Sequence, residues 1–222
     1  MDIELPSGTP AHLARNEGAA RGLVIVPDIW GLRPLFTDMC DRVADRTGWS
    51  VASFEPFPGM GLPGEGEADA GPARFAAMGG MSDERLLADV VAAADATEAP
   101  AVGLIGFCMG GMYALKSTAT GRFDRVAAFY GMIHVPENWQ GPDQGDPLAA
   151  VARRGDTEVM AVVGSVDGFT PPEHVQELRD AGVEVVVYEG ADHGFVHDPT
   201  RPAHRADDAA DAWDRVLGFL AG

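Results

Sequence analysis

The chain has 222 residues, 46% of them apolar, and its 34 Asp and Glu against 16 Lys and Arg give a formal charge of −18. That length suits one domain, residues 1–222, able to bury roughly 70–75% of its unfolded surface. The charge leaves no basic stripe to neutralise a nucleic-acid backbone, so nucleic acid is excluded as a partner.

The opening MDIELPSGTP lacks the basic-then-apolar order of a secretory signal, and no apolar run nears the roughly 18 residues of a membrane span. A cytoplasmic protein acting on a small molecule is expected, as a monomer or a small homo-oligomer. GLVIVP (22–27) is the first apolar run bounded by turn residues and reads as a strand. LFTDMCDRVADRTG (35–48) spaces its apolar residues three and four apart, as a helix does, with Cys40 on the packing face and Gly48 closing it. SVASFEP (50–56) is a second strand. The stretch 56–80 is rich in Gly and Pro and too long for an ordinary connection; it reads equally as a lid or pocket wall and as a mobile surface insertion.

SDERLLADVVAAADA (82–96) is a helix with Ser82 as N-cap and Asp83 and Glu84 in its first turn. Then come the strand AVGLIGF (101–107), the helix MYALKSTATG (112–121) and the strands RVAAFYG (125–131) and EVMAVVG (158–164). The helix PPEHVQELRDAG (171–182), opened by proline, the strand VEVVVYEG (183–190) and the helix ADDAADAWDRVLGFL (206–220) complete the chain. Strands apolar on both faces, alternating with helices, imply a mostly parallel α/β sheet covered by helices on both sides. Ligands in such sheets sit beyond the carboxyl ends of the strands. No repeat, linker or composition shift marks a second domain.

At one of those ends stands GLIGFCMGGM (103–112). Strand, Gly106, Phe107, Cys108, Met109, Gly110, then a helix is a nucleophile elbow with sulfur in place of the hydroxyl. The helix N-terminus behind Cys108 favours thiolate over thiol. A phosphate-binding loop would need a Lys-Ser/Thr ending, which is missing. An acyl-transfer nucleophile also needs a base and a carboxylate to orient it, and hydrolases with this elbow supply them in the order nucleophile, acid, His. Asp167 in VVGSVDGFTPP and His193 in VYEGADHGFVHD follow in that order, each just past a predicted strand. Asp167 is equally compatible with an ordinary turn beside Gly168. His193 and His197 lie four apart, but without the Glu of a zinc-protease motif, so no metal is expected. His134, His174 and His204 read as loop or helix-surface residues.

With VPDIWGL after the first strand, GFCMGG at the elbow, FYG at 129–131, VDGFTPP and GADHGF, the chain resembles the dienelactone hydrolase family of α/β hydrolases over nearly its whole length. The resemblance implies an α/β-hydrolase fold and a carboxymethylenebutenolidase-like ester hydrolase that needs no cofactor or metal. By the same resemblance Cys108 is the nucleophile, His193 the general base and acid, and Asp167 the orienting carboxylate; the backbone N–H groups of Ile29 and Met109 form the oxyanion hole. Two such donors stabilise a tetrahedral oxyanion by roughly 3–4 kcal/mol each. The family's thiol-activating Glu falls at Asp28, one methylene shorter. Its carboxylate-binding Arg, four residues after the triad His, is here His197, and a second family arginine corresponds to Arg74 or Arg85. Trp30 and Tyr130 are candidate pocket walls. Two other classes stay open: a thiol redox or peroxide-sensing protein built on Cys108, and a catalytically silent small-molecule binder.

Overall fold

Leu23 and Ile25 face one side of their strand and Val24 and Val26 the other, and each pair enters a different hydrophobic core. In the computed structural model, which describes residues 1–222, that strand is the third of eight. The elements in chain order are β1 (Asp2–Glu4), β2 (Pro10–Ala14), β3 (Arg21–Val26), α1 (Pro34–Thr47), β4 (Ser50–Phe54), α2 (Ala70–Met78), α3 (Asp83–Ala96) and β5 (Ala101–Phe107). They continue with α4 (Met109–Ser117), β6 (Arg125–Phe129), α5 (Pro147–Val151), β7 (Glu158–Gly164), α6 (Pro172–Asp180), β8 (Glu184–Tyr188) and α7 (Ala206–Ala221).

All eight strands form one sheet in the order β1-β2-β4-β3-β5-β6-β7-β8. β1 and β2 run antiparallel to each other and β2 to β4; every other pairing is parallel. This is the mostly parallel α/β sheet that the strand and helix alternation predicts, and it has the α/β-hydrolase-like form that the resemblance implies. On one face Phe36 and Met39 of α1 and Val216 and Leu220 of α7 cover Leu23, Ile25, Ile105 and Val162. On the other, Leu86, Val90, Met112, Leu115 and Leu178 of α3, α4 and α6 cover Val24, Leu104, Val126 and Ala161.

The register matters most for function. Val26 pairs with Gly106, Phe107 with Phe129, and Gly164 with Tyr188. The parallel strands therefore end level, and the loops that follow β3, β5, β6, β7 and β8 emerge along one edge.

The six predicted strands form within a few residues of their expected limits, as do the five predicted helices. Ser82 caps α3 by accepting from the Arg85 N–H, and Gly48 ends α1 in the left-handed conformation at φ 72°. β1, β2, α2 and α5 were not expected. β2 is held at the sheet edge by antiparallel pairing with distant β4, a register that no local pattern announces, and β1 pairs in turn with β2. α2 is hidden by Gly71 and Pro72 in its first turn, where a missing N–H costs little. Its buried stripe of Ala70, Arg74 and Met78 carries a charged residue at the centre, which masks the apolar face. β8 departs from two-sided burial because it is an edge strand, with Glu184 and Val187 exposed.

Candidate active site

Cys108 stands between β5 and α4 at φ 57° and ψ −118°, a conformation forced on a non-glycine residue at a cost of order 1–3 kcal/mol. Its N–H donates to the Phe129 carbonyl at 3.0 Å and its own carbonyl accepts from Met112 N–H at 3.0 Å, so neighbouring strand and helix hold the turn. The flanking glycines are required by contact: a Cβ on Gly106 would lie 2.0 Å from the Gly110 carbonyl oxygen, and one on Gly110 would lie 2.2 Å from that of Val26. The thiol is half-buried, and α4 begins at the very next residue. Met109 N–H is therefore one of the orphan donors of a helix N-terminus.

His193, in the loop after β8, donates from Nδ1 to Asp167 Oδ2 at 2.9 Å. The other Asp167 oxygen accepts the Phe169 N–H at 2.8 Å, which fixes the carboxylate on its turn after β7. His193 Nε2 is buried with no hydrogen-bond partner of good geometry, and the Cys108 side chain is beside it. Burial pulls the imidazole pKa down, but the negative charges of Cys108 and Asp167 outweigh it and push it up to about 10. Cys108, Asp167 and His193 thus come from three separate strand ends to one place.

Ile29 lies in the loop after β3. Its N–H has no acceptor in the protein, while its carbonyl accepts from Arg74 Nη1 at 2.9 Å. Arg74 also donates from Nε to the Pro63 carbonyl and lies against the rings of Trp30 and Phe57. The guanidinium is buried and spent on main-chain carbonyls, so it braces the Ile29 loop and does not reach into the cavity. Arg85 is further off, bound to the Pro56 carbonyl and to Asp89.

Asp28 and His197 differ most from their sequence-based expectations. Both Asp28 oxygens are occupied: Arg33 donates to them at 2.7 and 3.1 Å, Trp30 N–H at 2.9 Å and His197 Nε2 at 2.8 Å, and none of its hydrogen bonds goes to Cys108. Burial alone would raise this carboxyl, yet His197 and Arg33 hold it well below the usual carboxylate range. His197 is buried between Phe36 and Phe107, and burial lowers its pKa. Burial thus disfavours the charged ring; the matching tautomer donates from Nε2 to Asp28 and accepts the Tyr130 hydroxyl at Nδ1, 2.5 Å away. Tyr130 is wholly buried at φ 40°, with its ring edge-on to His193 at 5.1 Å. Neither His197 nor Tyr130 lines the cavity.

That cavity, of about 750 Å³, is bordered by Trp30, Glu65, Asp192, His193, Arg201 and Arg205. Arg201 was missed in the sequence because it stands eight residues beyond His193, outside the spacing that draws attention. Glu65, from the 56–80 stretch, pairs with Arg33 and Arg201 at 3.0 Å each. Phe169, 42% exposed, leans on the His193 ring at 4.8 Å.

A mostly parallel sheet with Cys108, Asp167 and His193 all just past strand ends has the architecture of an α/β hydrolase. The dienelactone hydrolase family model matches residues 9–222, and the chain belongs to that family. It is 25% identical to the carboxymethylenebutenolidase of Rhodococcus opacus over 94% of this chain and 84% of that protein. It is 24% identical to carboxymethylenebutenolidase 2 of Cupriavidus pinatubonensis over 83% of this chain and 78% of that one. In fold it is similar to a dienelactone hydrolase-type protein from Klebsiella pneumoniae, with a TM-score of 0.83 at 24% identity covering 100% and 97% of the two chains. A dienelactone hydrolase-like promiscuous phosphotriesterase from metagenomic libraries gives a TM-score of 0.75 at 20% identity, covering 100% and 96%. No helix is long and apolar enough to cross a membrane.

Proposed function

We propose that this protein is a cytoplasmic, cofactor-free cysteine hydrolase that opens activated esters or enol-lactones through an acyl-enzyme. The observation that carries the reading is His193, tied by Nδ1 to Asp167 with its Nε2 left free beside Cys108. Asp167 fixes the tautomer and stabilises the imidazolium, and the imidazolium together with the N-terminus of α4 stabilises the thiolate.

In the first half-reaction the Cys108 thiolate attacks the carbonyl carbon and the carbonyl π pair moves to oxygen. The oxyanion sits between the N–H groups of Ile29 and Met109. Collapse breaks the C–O bond, and the departing oxygen, an enolate in the lactone case, takes the proton from His193 Nε2. In the second half-reaction neutral His193 accepts a proton from water as the water oxygen attacks the thioester. Collapse then releases the acid, and Cys108 leaves as thiolate beside protonated His193. Lactone opening fits the carboxymethylenebutenolidases to which the chain is similar.

The substrate is a small molecule. Trp30 and Phe169 offer it apolar surface, and the 56–80 segment, through Glu65, walls the cavity. The thiol redox reading lacks a partner sulfur: Cys40, the other cysteine, is buried in α1, where burial pushes its thiol pKa up.

The test uses an activated neutral ester and a panel of lactones with and without a carboxylate. Cys108→Ala and His193→Ala should each remove turnover while circular dichroism stays that of the parent, and mass spectrometry should trap an acyl group on Cys108. Full turnover by either variant would overturn the proposal.

A further inference from the structure

Three loops must hold their mutual positions for this site to work: the one carrying Ile29, the end of β6 that receives the Cys108 N–H, and the one carrying His193. A single chain of buried side chains joins them. Tyr130, one residue past β6, donates its hydroxyl to His197 Nδ1; His197, four residues after His193, donates from Nε2 to Asp28; and Asp28 immediately precedes Ile29. All three residues are at most 4% exposed.

The N–H of Ile29 belongs to the Asp28–Ile29 peptide. That peptide is held on one side by the Asp28 side chain, which also accepts the Trp30 N–H, and on the other by Arg74 on the Ile29 carbonyl. A hydrogen-bonded carboxylate in a buried site moves little, because any excursion strands its charge. Arg33 neutralises Asp28 from the solvent side, and Arg201 lies 3.6 Å from it. Neither arginine has a hydrogen bond to β6 or to Tyr130. Only His197, which can donate at one nitrogen and accept at the other, links the carboxylate to the Tyr130 hydroxyl.

We infer that Asp28, His197 and Tyr130 form a positioning relay that sets the Ile29 N–H against the Cys108 and His193 loops, so that this oxyanion donor is in place before substrate arrives. The inference rests on the hydrolase reading above. Under it, Asp28 acts on the oxyanion donor and not on the thiol, and His197 acts inside the wall and not on substrate.

The two roles separate experimentally because alkylation of a thiolate by iodoacetamide passes through no oxyanion, whereas ester cleavage does. Tyr130→Phe and His197→Phe should lower kcat for a neutral activated ester about 10- to 100-fold, part of the roughly 10²–10³ that loss of a whole oxyanion donor costs. KM should stay within about twofold, as expected when an interaction made in the transition state is lost. His197→Gln, which keeps a donor for Asp28, should recover at least about fivefold over His197→Phe. Alkylation of Cys108 should proceed at the parental rate in all three.

Tyr130→Phe deletes one hydroxyl and carries the test if His197→Phe does not fold. Unchanged kcat in Tyr130→Phe overturns the relay while leaving the hydrolase reading intact. Alkylation that slows in step with kcat also overturns it, by placing the effect on the thiol. Absence of ester turnover in the parent protein removes both.

Discussion

Asp167 has no free oxygen: one accepts from His193 Nδ1 and the other from the Phe169 backbone. The imidazole is thereby locked with Nε2 toward Cys108, and the carboxylate's charge helps keep it protonated. Asp167→Asn preserves the shape but offers an amide that can leave His193 in the other tautomer. In a serine triad that change costs about 10⁴ in kcat. In the proposed mechanism the helix N-terminus also supports the nucleophile, so a fall of about 10²–10⁴ is expected, with the melting temperature little changed. Steady-state kinetics on a neutral ester checks it. At this scale Cys108, Asp167 and His193, the proposed triad, could be picked out of the chain, because each sits in a short motif whose composition is dictated by local backbone chemistry. Asp28 and His197 could be picked out as well, but not their occupation: their partners Arg33, Tyr130 and Arg201 are set by contacts that spacing does not encode.

Among the elements, the strands and long helices follow from periodicity, whereas α2 and α5 depend on what they pack against. α5 is one short turn, begun by Asp146 and Pro147, and Asp146 caps it by accepting from Ala149 N–H. The same carboxylate accepts from His134 Nδ1 at 2.8 Å, and Glu177 on α6 accepts from Nε2 at 2.8 Å. One imidazole thus joins the loop after β6 to both helices. Burial is the largest single influence and lowers its pKa, but the two carboxylates together outweigh it and raise it. A raised folded pKa contributes stability that is full below the unfolded value of about 6.5 and is lost as pH rises through the folded value. His134→Gln should therefore lower the melting temperature below about pH 6.5 and converge with the parent in alkaline solution. Because the pair is partly exposed the effect is small and weakens with salt. Differential scanning fluorimetry across pH 6 to 9 reads it; a constant offset between the two proteins would refute the linkage.

Over the whole molecule the charge of −18 surrounds a cavity whose basic groups, Arg201 and Arg205, are themselves paired with acids. An anionic substrate approaches against the long-range field, and a neutral one does not feel it. Raising ionic strength from about 0.01 to 0.15 M shortens the screening length from about 30 to 8 Å. The kcat/KM for a carboxylate-bearing ester should rise a few-fold over that range, while the value for its methyl ester stays level. Equal salt dependence for the two would show that the net charge plays no part in encounter.

The α/β alternation, the elbow and the order of nucleophile, acid and histidine are local properties of the chain: apolar period, glycine placement and turn chemistry act over a few residues. The antiparallel edge of β1 and β2, the bracing of the Ile29 loop by Arg74 and the buried contacts of Asp28, His197 and Tyr130 are different in kind. Each joins segments far apart in sequence, 169 positions in the case of His197 and Asp28. Folding decides such pairings because a buried polar group takes whichever partner the closed sheet brings to it, and an unpaired one is too costly to keep.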